Sequence, residues 1–380
     1  PVRPMSAAFR TTAQDPGSAA RAGLLETPHG TVETPAFMPV ASQGTVKGLT
    51  HAQVEALGAD IILLNSYHLF LRPGVEDIEA LGGLHRFISW PKPILTDSGG
   101  FQIYSLSSLV RVSDEGVRFA SHLDGTKILL RPEDAVDLQL RMGSDVLMCL
   151  DHFPAYPCSE DTMRESVRLT SLWARRSKAR FAGQATRQQL WGICQGGVHP
   201  ELRKRSISEV VEQDFSGYAY GGLGIGEPKT RLFETLELGH ALLPADRPRY
   251  LMGMGYVEDV VEAVARGVDF FDCVLPTRNA RNGTLFTSRG RLAIKNRRYA
   301  RDERPLDEAC SCPTCRRFSR AYLRHLYERD EITAAVLNTV HNLHFYLDIF
   351  RKIRHSISSH SFDTLKKGMI ANASQKEETT

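Results

Sequence analysis

Eight short runs of apolar residues recur along the chain, and each run ends in polar residues or glycine. Near-continuous apolar runs are typical of parallel strands that are buried on both faces. Several of the segments between them repeat apolar residues at helical spacing, and some begin with proline or acidic residues, as helices do. The predicted strands are 35–40, 61–65, 93–97, 145–151, 190–195, 218–223, 250–253 and 270–274, and the predicted helices include 50–57, 132–142, 160–181, 200–212 and 258–266.

Strands that alternate with helices indicate an α/β fold, and eight of them favour a (β/α)8 TIM barrel. The competing topology is a doubly wound open sheet. That fold carries a glycine-rich phosphate-binding fingerprint at its first strand–helix turn, and the sequence has no such fingerprint there. We therefore predict a barrel.

Polar residues gather where the predicted strands end. In a TIM barrel, the C-terminal ends of the strands form the rim on which active sites are built. A single polar residue there could simply satisfy a strand end, but convergence of several on one rim indicates a functional site. The residues are Asn65, Asp97, Asp151, Gln195, Gly221, Gly222 and Asp272.

Composition excludes several classes of protein. Hydrophobic residues make up 42% and charged residues 24% of the 380 positions, which is the balance of a globular protein and not of a disordered chain. No apolar run approaches the roughly eighteen residues of a membrane-spanning helix, and no signal-peptide pattern opens the chain. Seven cysteines, three of them crowded into six positions, argue against a disulfide framework. We expect a cytoplasmic protein.

The net charge of +3 conceals a basic segment. Residues 278–329 contain fourteen Lys and Arg against five Asp and Glu, which gives +9 there and leaves −6 for the rest of the chain. A solvated surface would explain such a segment. Binding to a phosphate backbone would explain it equally well.

Asp97 is followed by Ser98 and two glycines, and then by Phe101. The glycines would let a flat ligand approach the backbone closely, and the phenyl ring would supply a stacking face. A tight turn capped by the carboxylate is the alternative interpretation of this motif.

Asp272 lies between Phe271 and Cys273, where a charge is costly unless something compensates it. Arg278 and Arg281 follow within a short distance and could either offset that cost in a salt bridge or bind phosphates. Two carboxylates that face each other across a cleft can carry out double displacement at an anomeric carbon. One attacks the sugar, and the other manages the proton of the leaving group.

Three cysteines form the most specific local motif, Cys310-Ser311-Cys312-Pro313-Thr314-Cys315. Their spacing leaves room for one further ligand, which would complete a closed tetrahedral zinc site. The histidines that follow are His325, His341 and His344, and spacing alone does not choose among them.

In these motifs, the chain resembles the queuine/tRNA-guanine transglycosylase family in its bacterial-type form. The matching stretches run in family order from about residue 20 to about residue 355. They are His29-Gly30-Thr31-Val32, Asn65-Ser66-Tyr67-His68-Leu69, the loop 97–102, Gln195-Gly196-Gly197, Gly221-Gly222-Leu223, Tyr250-Leu251-Met252-Gly253, the segment 271–283 and the three cysteines.

The resemblance implies a TIM barrel with an inserted C-terminal zinc-binding subdomain. It implies an enzyme of queuosine biosynthesis that exchanges the wobble guanine of GUN-anticodon tRNAs for a 7-deazaguanine. Asp272 would be the nucleophile and Asp97 the acid/base. The base pocket would comprise Ser98, Gly99, Gly100, Phe101, Asp151, Gln195, Gly222, Leu223 and Met252.

The resemblance further implies a structural Zn²⁺ held by Cys310, Cys312, Cys315 and His341, and a homodimer. Contacts to tRNA would come from Gly253, Met254, Gly255, Tyr256, Val257, Glu258 and Asp259, and from Thr277, Arg278, Asn279, Ala280 and Arg281. The implied organisation is an N-terminal extension (1–20), the barrel (21–277), a basic zinc-binding subdomain (278–345), a closing helix (346–360) and a polar, disordered tail (361–380).

The chain departs from the family beside the expected base pocket. Bacterial members usually continue with Glu-Cys after the residue that corresponds to Asp151, and this chain has His152 and Phe153. The difference bears on the choice among preQ1, its nitrile precursor and queuine. A bulky Phe153 argues against queuine, the largest of the three, so we expect preQ1.

Two other functions compete with base exchange. A retaining glycoside or nucleoside hydrolase could use the same barrel and paired carboxylates, but it would leave the basic segment and the cysteine cluster unexplained. A non-catalytic RNA-binding partner subunit would be expected to lack the nucleophile, whereas both Asp97 and Asp272 are present.

Overall fold

A three-stranded antiparallel sheet is the first element of the computed structural model, which describes residues 8–374. Its strands, in spatial order, are β1 (Phe9–Gln14), β2 (Arg21–Thr27) and β3 (Gly30–Thr34). Strand β1 lies within the stretch 1–20 that the sequence led us to expect as an extension. Residues 9–14 of the expected extension are therefore part of the folded sheet, and its first seven residues lie outside the described part of the chain.

Eight parallel strands form the central sheet, as the sequence predicted. With strands numbered along the chain, they are β4 (Ala36–Pro39), β5 (Ile62–Leu64), β6 (Ile94–Thr96), β10 (Val146–Met148), β11 (Gln189–Cys194), β12 (Tyr218–Tyr220), β13 (Arg249–Leu251) and β14 (Phe270–Cys273). They pair in the order β4-β14-β13-β12-β11-β10-β6-β5. A parallel bridge between Val40 and Leu63, with the Ala41 amide 2.7 Å from the Leu63 carbonyl oxygen, joins the two ends of this order. The predicted (β/α)8 barrel is confirmed.

The barrel interior is packed with large side chains. They belong to one cluster of buried residues that includes Met38, Leu63, Leu95, Met148, Trp191, Tyr250 and Phe270. Side chains of this size fill the inside of an eight-stranded barrel. Ligands must therefore bind at an end of the barrel.

Helices surround the barrel. They are α1 (His51–Ala56), α2 (Ser66–Leu71), α3 (Val75–Ala80), α4 (Leu84–Phe87), α5 (Gly100–Leu106), α6 (Pro132–Met142), α7 (Glu160–Ala182), α8 (Pro200–Val211), α9 (Lys229–Leu242), α10 (Val257–Val264) and α11 (Leu275–Arg281). Local sequence sets several starts: the Ser159 hydroxyl caps α7 by accepting from the Thr162 amide at 3.1 Å, and Pro132 occupies the first turn of α6.

A second antiparallel sheet is inserted between α5 and α6. It consists of β7 (Ser108–Ser113), β8 (Gly116–Ala120) and β9 (Lys127–Leu130). The apolar pattern of the sequence did not predict it. Its buried side chains, among them Phe119 and Leu130, pack in one cluster with Leu169 and Trp173 of α7.

The region that the sequence led us to expect as a zinc-binding subdomain follows α11. It comprises a hairpin of β15 (Thr284–Thr287) and β16 (Gly290–Ala293), a 3-10 helix (Arg297–Arg301), α12 (Pro313–Arg317), α13 (Arg320–Glu328) and part of the long helix α14 (Ile332–Ser358). A boundary was expected at 345/346. Helix α14 runs through that position without a break, because its buried face continues from Asn342 and Leu343 to Phe350 and Ile353.

The segment after residue 360 is not a disordered tail throughout. Residues Phe362–Ser374 form helix α15, in which Phe362 is buried while Leu365, Met369 and Ile370 pack against the main core. The polar composition of the segment concealed this apolar face. Residues 375–380 of the predicted tail lie outside the described residues. Between residues 8 and 374, no helix has both the length and the apolar character needed to cross a bilayer.

The N-terminal end of the barrel is closed by buried polar contacts with the β1–β3 sheet. Arg21 of β2 forms a buried salt bridge of 2.7 Å with Asp269, immediately before β14. Asp145, immediately before β10, accepts from the Ile94 amide at 2.8 Å, and its carboxylate contacts His29 at 2.8 Å and His85 at 3.1 Å. The opposite, C-terminal rim is thus the end that remains for a site.

Candidate active site

Asp97 directly follows β6 and lies at the C-terminal rim, where it is buried. Its carboxylate accepts hydrogen bonds from the Ser66 amide at 2.9 Å and the Gln102 side chain at 2.8 Å, and from the side chain of Asn65. Burial raises the pKa of Asp97 to about 6, although these hydrogen bonds oppose the shift. The carboxyl group is therefore placed to change its protonation state near neutral pH.

Asp272 is on β14, at the same rim. Its Oδ1 atom accepts from the Tyr250 hydroxyl at 2.6 Å and from the Gly253 amide at 2.8 Å. Burial raises the pKa of this carboxyl group above its ordinary value, while the two hydrogen bonds oppose the change. Both of these donors are neutral. Among residues 8–374, neither Arg278 nor Arg281 forms a salt bridge with Asp272, so the expectation that these arginines offset its charge finds no support.

Tyr250 of β13 connects the two acids. Burial and the neighbouring charges of Asp272 and Asp97 raise the pKa of its hydroxyl well above the ordinary value. Because both charges affect the pKa of this phenol, Tyr250 must lie within electrostatic range of each carboxylate. The two acids predicted from sequence therefore lie at the same rim, near one phenol.

Asp151 and Gln195 form a hydrogen-bonded pair beside Asp97. Both are buried, and Gln195 Nε2 lies 2.6 Å from Asp151 Oδ2. Burial raises the pKa of Asp151 to about 6, and the charge of Asp97 adds to the shift. Within the described chain, Gln195 Oε1 has no hydrogen-bond partner. A buried acceptor of this kind is free to bind a ligand.

Glycine at position 222 is required by the close approach of Gln195. A Cβ atom on Gly222 would lie 2.5 Å from Gln195 Oε1, and the residue has a φ of +68°. Leu223, which follows, is buried, and Met252 packs against the barrel interior. The structure thus places these three predicted pocket residues on the same rim.

Phe101, in the first turn of α5 after Asp97, presents an exposed ring. Its side chain is 54% exposed, and its ring packs edge-on against Phe153, with centroids 5.4 Å apart. Gly100 lies beside Asp151, because a Cβ at that position would be 3.3 Å from Asp151 Oδ1. Ser98 is buried and accepts from the Gly100 amide at 3.3 Å. A flat group bound between the acids and Phe101 would have one face against a ring.

Arg203 of α8 is a residue that sequence reasoning missed. It is fully buried and donates to main-chain carbonyl oxygens of Cys194 at 2.5 Å, Gly197 at 2.8 Å and Gly221 at 3.0 Å. Burial lowers its pKa to about 10. The Gly197 and Gly221 carbonyls belong to the loops after β11 and β12, which carry part of the predicted base pocket, so the guanidinium fixes the two loops relative to each other.

The two segments predicted to contact tRNA present only some of their side chains to solvent. Tyr256, Arg278 and Arg281 are exposed, whereas Met254, Gly255, Thr277 and Ala280 are buried. Asp259 is also buried and pairs with Lys229 at 2.7 Å. The exposed side chains are the ones that could reach a phosphate backbone.

Three cysteines and one histidine converge in the region that follows α11. The Sγ atoms of Cys310, Cys312 and Cys315 lie 3.7, 3.6 and 3.3 Å from His341 Nδ1. Ligands of a tetrahedral zinc ion would be about 3.6 Å apart, given typical bond lengths. His341 Nε2 donates to the Phe286 carbonyl oxygen at 2.7 Å, which orients Nδ1 toward the thiols. The four side chains fit a metal ion.

His344 is the competing histidine. Its Nδ1 lies 3.6 Å from Cys310 Sγ, and its Nε2 lies 3.5 Å from the hydroxyl of Ser311. Within the described residues, His344 makes no such contact with Cys312 or Cys315. His341, which contacts all three, is the fourth member of the cluster.

The sequence matches known proteins over nearly its whole length. A family model described as queuine tRNA-ribosyltransferase matches residues 15–375. A queuine tRNA-ribosyltransferase of Thermodesulfovibrio yellowstonii is 52% identical over 348 residues, which cover 92% of this chain and 91% of the relative. One from a Thermoanaerobacter species is 49% identical over 97% of this chain and 98% of its own length, and one from Nitratidesulfovibrio vulgaris is 52% identical over 93% and 94%. The family resemblance is confirmed: the chain belongs to the queuine tRNA-ribosyltransferase family, the tRNA-guanine transglycosylases.

Proposed function

We propose that this enzyme replaces the wobble guanine of GUN-anticodon tRNAs with a 7-deazaguanine by double displacement. The observation that carries the proposal is the pair of rim carboxylates, Asp97 and Asp272, which both lie in electrostatic range of Tyr250. Their hydrogen bonds come from different sides of the rim, so each acid can have its own role. The basic segment after Asp272 would bind the tRNA phosphates next to the reacting nucleotide.

In the first displacement, the ionised carboxylate of Asp272 attacks C1′ of the wobble nucleotide. A bond forms between the carboxylate oxygen and C1′ while the bond from C1′ to guanine N9 breaks. The electron pair of the broken bond goes to guanine, which takes up a proton from Asp97. The product is a covalent enzyme–RNA intermediate together with free guanine.

In the second displacement, the incoming base gives its N9 proton to Asp97 and attacks C1′. The carboxylate of Asp272 leaves as an anion, so the enzyme returns to its starting state. Asp97 thus donates one proton and recovers one in each cycle. A pKa of about 6 suits a group that must be an acid in one step and a base in the next.

Asp151 and Gln195 would read the edge of the base, and Phe101 would cover its face. The base must leave the RNA stack to reach this rim, as in other enzymes that act on nucleobases. We further propose preQ1 as the incoming base. The support is Phe153, whose ring against Phe101 takes up space beside the pocket that the larger queuine would need.

We also propose that the metal of the Cys310 cluster is Zn²⁺ and that it is structural. Three thiolates and one imidazole complete a tetrahedral shell and leave no position for a substrate.

The homodimer stays a prediction from the family resemblance. Light scattering of the purified protein would measure its mass in solution.

Incorporation of labelled guanine into unmodified wobble-guanine tRNA tests the exchange. We expect label in the RNA with the wild type, and a tRNA–enzyme band that persists under denaturing conditions when a slow second base is supplied. Asp272→Asn should give neither, because an amide is a far poorer nucleophile than a carboxylate. A band of undiminished strength in that variant would refute the assignment of the nucleophile.

The hydrolase alternative has its own readout in the same assay. Hydrolysis would be supported if guanine were released from tRNA when no incoming base is supplied and if no label entered the RNA when labelled guanine is supplied.

The identity of the incoming base is tested by chasing labelled guanine out of tRNA with preQ1, its nitrile precursor or queuine. We expect preQ1 to be the most effective, and a preference for queuine would contradict the role given to Phe153.

A further inference from the structure

We propose that Tyr346 and Asn342 of α14 are positioning residues for the nucleophile, because they hold the two chain segments that flank Asp272. The proposal rests on the proposed function, in which Asp272 attacks the sugar. Neither residue touches the carboxylate. Tyr346 binds a main-chain carbonyl of the loop whose amide donates to Asp272. Asn342 binds a main-chain carbonyl of the segment that directly continues β14.

The first segment is the loop after β13. Its Gly253 amide donates to Asp272 Oδ1 at 2.8 Å, and its Gly255 packs against Cys273, the neighbour of Asp272. A Cβ atom at Gly255 would lie 1.9 Å from Cys273 Sγ, so any larger residue would force this loop away from β14. The position of the loop therefore sets the position of the donor to the nucleophile.

Tyr346 holds this loop from the outside. Its hydroxyl donates to the Gly255 carbonyl oxygen at 2.7 Å. The side chain is 1% exposed, and its ring packs against Phe37 of β4 and Phe286 of β15, with centroids 5.2 Å away in both cases. A tyrosine packed in this way has little freedom, so the carbonyl that it binds is fixed as well.

Asn342 holds the second segment, the start of α11. Its Nδ2 donates to the Pro276 carbonyl oxygen at 3.0 Å and to the Thr284 carbonyl oxygen at 3.1 Å, and its Oδ1 accepts from the Phe286 amide at 3.0 Å. Asn342 and Tyr346 are four residues apart and so lie on one face of α14. One rigid helix thus contacts the chain on both sides of Asp272.

The consequence concerns the covalent step in particular. If the hydroxyl of Tyr346 were removed, the 253–255 loop could move and the Gly253 amide would hold the carboxylate less firmly. A carboxylate displaced by even a fraction of an ångström from its attack position reacts more slowly. Base binding should change little, because only Met252 of the predicted pocket adjoins this loop, whereas Asp151, Gln195 and Phe101 lie on other strands and loops.

Tyr346→Phe is the decisive variant, since it removes one hydroxyl and keeps the ring. Single-turnover formation of the covalent tRNA adduct is measured with excess enzyme, and guanine affinity is measured separately by calorimetry. We expect adduct formation to slow about fivefold, the effect of removing one hydrogen bond, with guanine affinity unchanged. In steady state, kcat should fall while the KM for guanine stays the same.

Tyr218→Phe is the matched control, because it also removes the hydroxyl of a buried tyrosine, one that lies on β12. It should leave adduct formation at the wild-type rate. Asn342→Leu, which is close in size, adds no charge and lacks the N–H donors, should slow the adduct step in the same way as Tyr346→Phe.

The outcomes separate this proposal from the one on which it rests. If Asp272→Asn still formed the adduct, the proposed nucleophile would be wrong. If Asp272→Asn blocked the adduct but Tyr346→Phe formed it at the wild-type rate, Asp272 would remain the nucleophile and the positioning role would be refuted. A lower melting temperature of Tyr346→Phe with an unchanged adduct rate would show that Tyr346 serves only stability.

Discussion

At the scale of single residues, the buried acids of this site lower the stability of the folded protein at neutral pH. Asp97 and Asp151 lie within one rim, and burial raises the pKa of each to about 6. A folded-state pKa above the ordinary value of 3.8 means that ionisation at neutral pH opposes folding. The chemistry of the site is therefore obtained at the expense of stability.

Asp151→Asn should make the fold more stable at pH 8 while lowering base exchange. The wild type loses stability as the pH rises from about 4 through 6, where folded Asp151 ionises, and the neutral amide avoids that loss. A shift from 3.8 to about 6 corresponds to a change in unfolding free energy of about 3 kcal/mol. Denaturant unfolding at pH 5 and pH 8 measures the effect, which should be larger at pH 8. Asp77→Asn, at an exposed position of α3, is the control. An equal effect of Asp151→Asn at both pH values would contradict this account.

The sequence located the two carboxylates but not the groups that hold them. Asp97 and Asp272 could be predicted because each ends an apolar run, where a charge needs an explanation. Arg203 lies in a helix among other charged residues, so its burial could not be inferred from sequence. The role of Tyr250 depends on which strand lies beside β14, and only the folded barrel supplies that information.

Helix α11 carries a prediction at the scale of elements. Arg278 and Arg281 lie in the last turn of this short helix, which follows the strand that carries Asp272, and their side chains are exposed. If they bind phosphates, replacing both with Ala should reduce the salt slope of tRNA affinity, log K against log salt, by about 0.7 to 0.9 for each phosphate that is no longer bound. The affinity for free guanine should hardly change, because that equilibrium involves no phosphate.

A matched control for this experiment is Arg10→Ala, on the exposed side of β1 in the sheet at the other end of the barrel. It should leave the slope as it is. A slope that also stayed constant in the double variant would count against phosphate binding by α11.

The metal cluster is the second element-scale prediction. Cys312 and Cys315 lie in a small buried cluster with Leu285, Leu292 and Leu323. A metal ion held by the four side chains would join α12 to α14 beside the β15–β16 hairpin. Cys312→Ala should lose the metal and expose this region to protease, because metal-binding energy here is folding energy. Elemental analysis and limited proteolysis check both effects, with Cys158→Ala as the control outside the cluster. Freshly purified wild type without zinc would overturn the assignment.

The elements that sequence could predict are those with the simplest burial. The barrel strands are buried on both faces and read as apolar runs. Strand β1 has mostly exposed side chains, FRTTAQ, and offers no such run. The β7–β9 sheet is equally hard to infer, because its apolar residues face partners such as Trp173 that lie far away in sequence.

At the scale of the whole molecule, α15 binds the end of the described chain to the barrel. Phe362 is buried, and the helix packs beside α10 and α14. Removing residues 361–380 should therefore lower the unfolding free energy by about 3 kcal/mol or more, the value expected for one buried Phe and partial burial of Leu365 and Met369. Thermal unfolding measures the change against a chain that lacks only residues 375–380. Equal melting temperatures for the two truncated chains would contradict the contribution of α15.

The two ends of the barrel should respond to acid in opposite ways. At the N-terminal end, burial alone would raise the pKa of Asp145, but hydrogen bonds from His85 and His29 outweigh burial and hold it below its ordinary value. The stability that Asp145 contributes therefore survives until the pH falls below about 4. The rim acids take up protons near pH 6, well before that point. Mild acid should thus inactivate the enzyme without unfolding it, and neutralisation should restore exchange at once, with no refolding step in between.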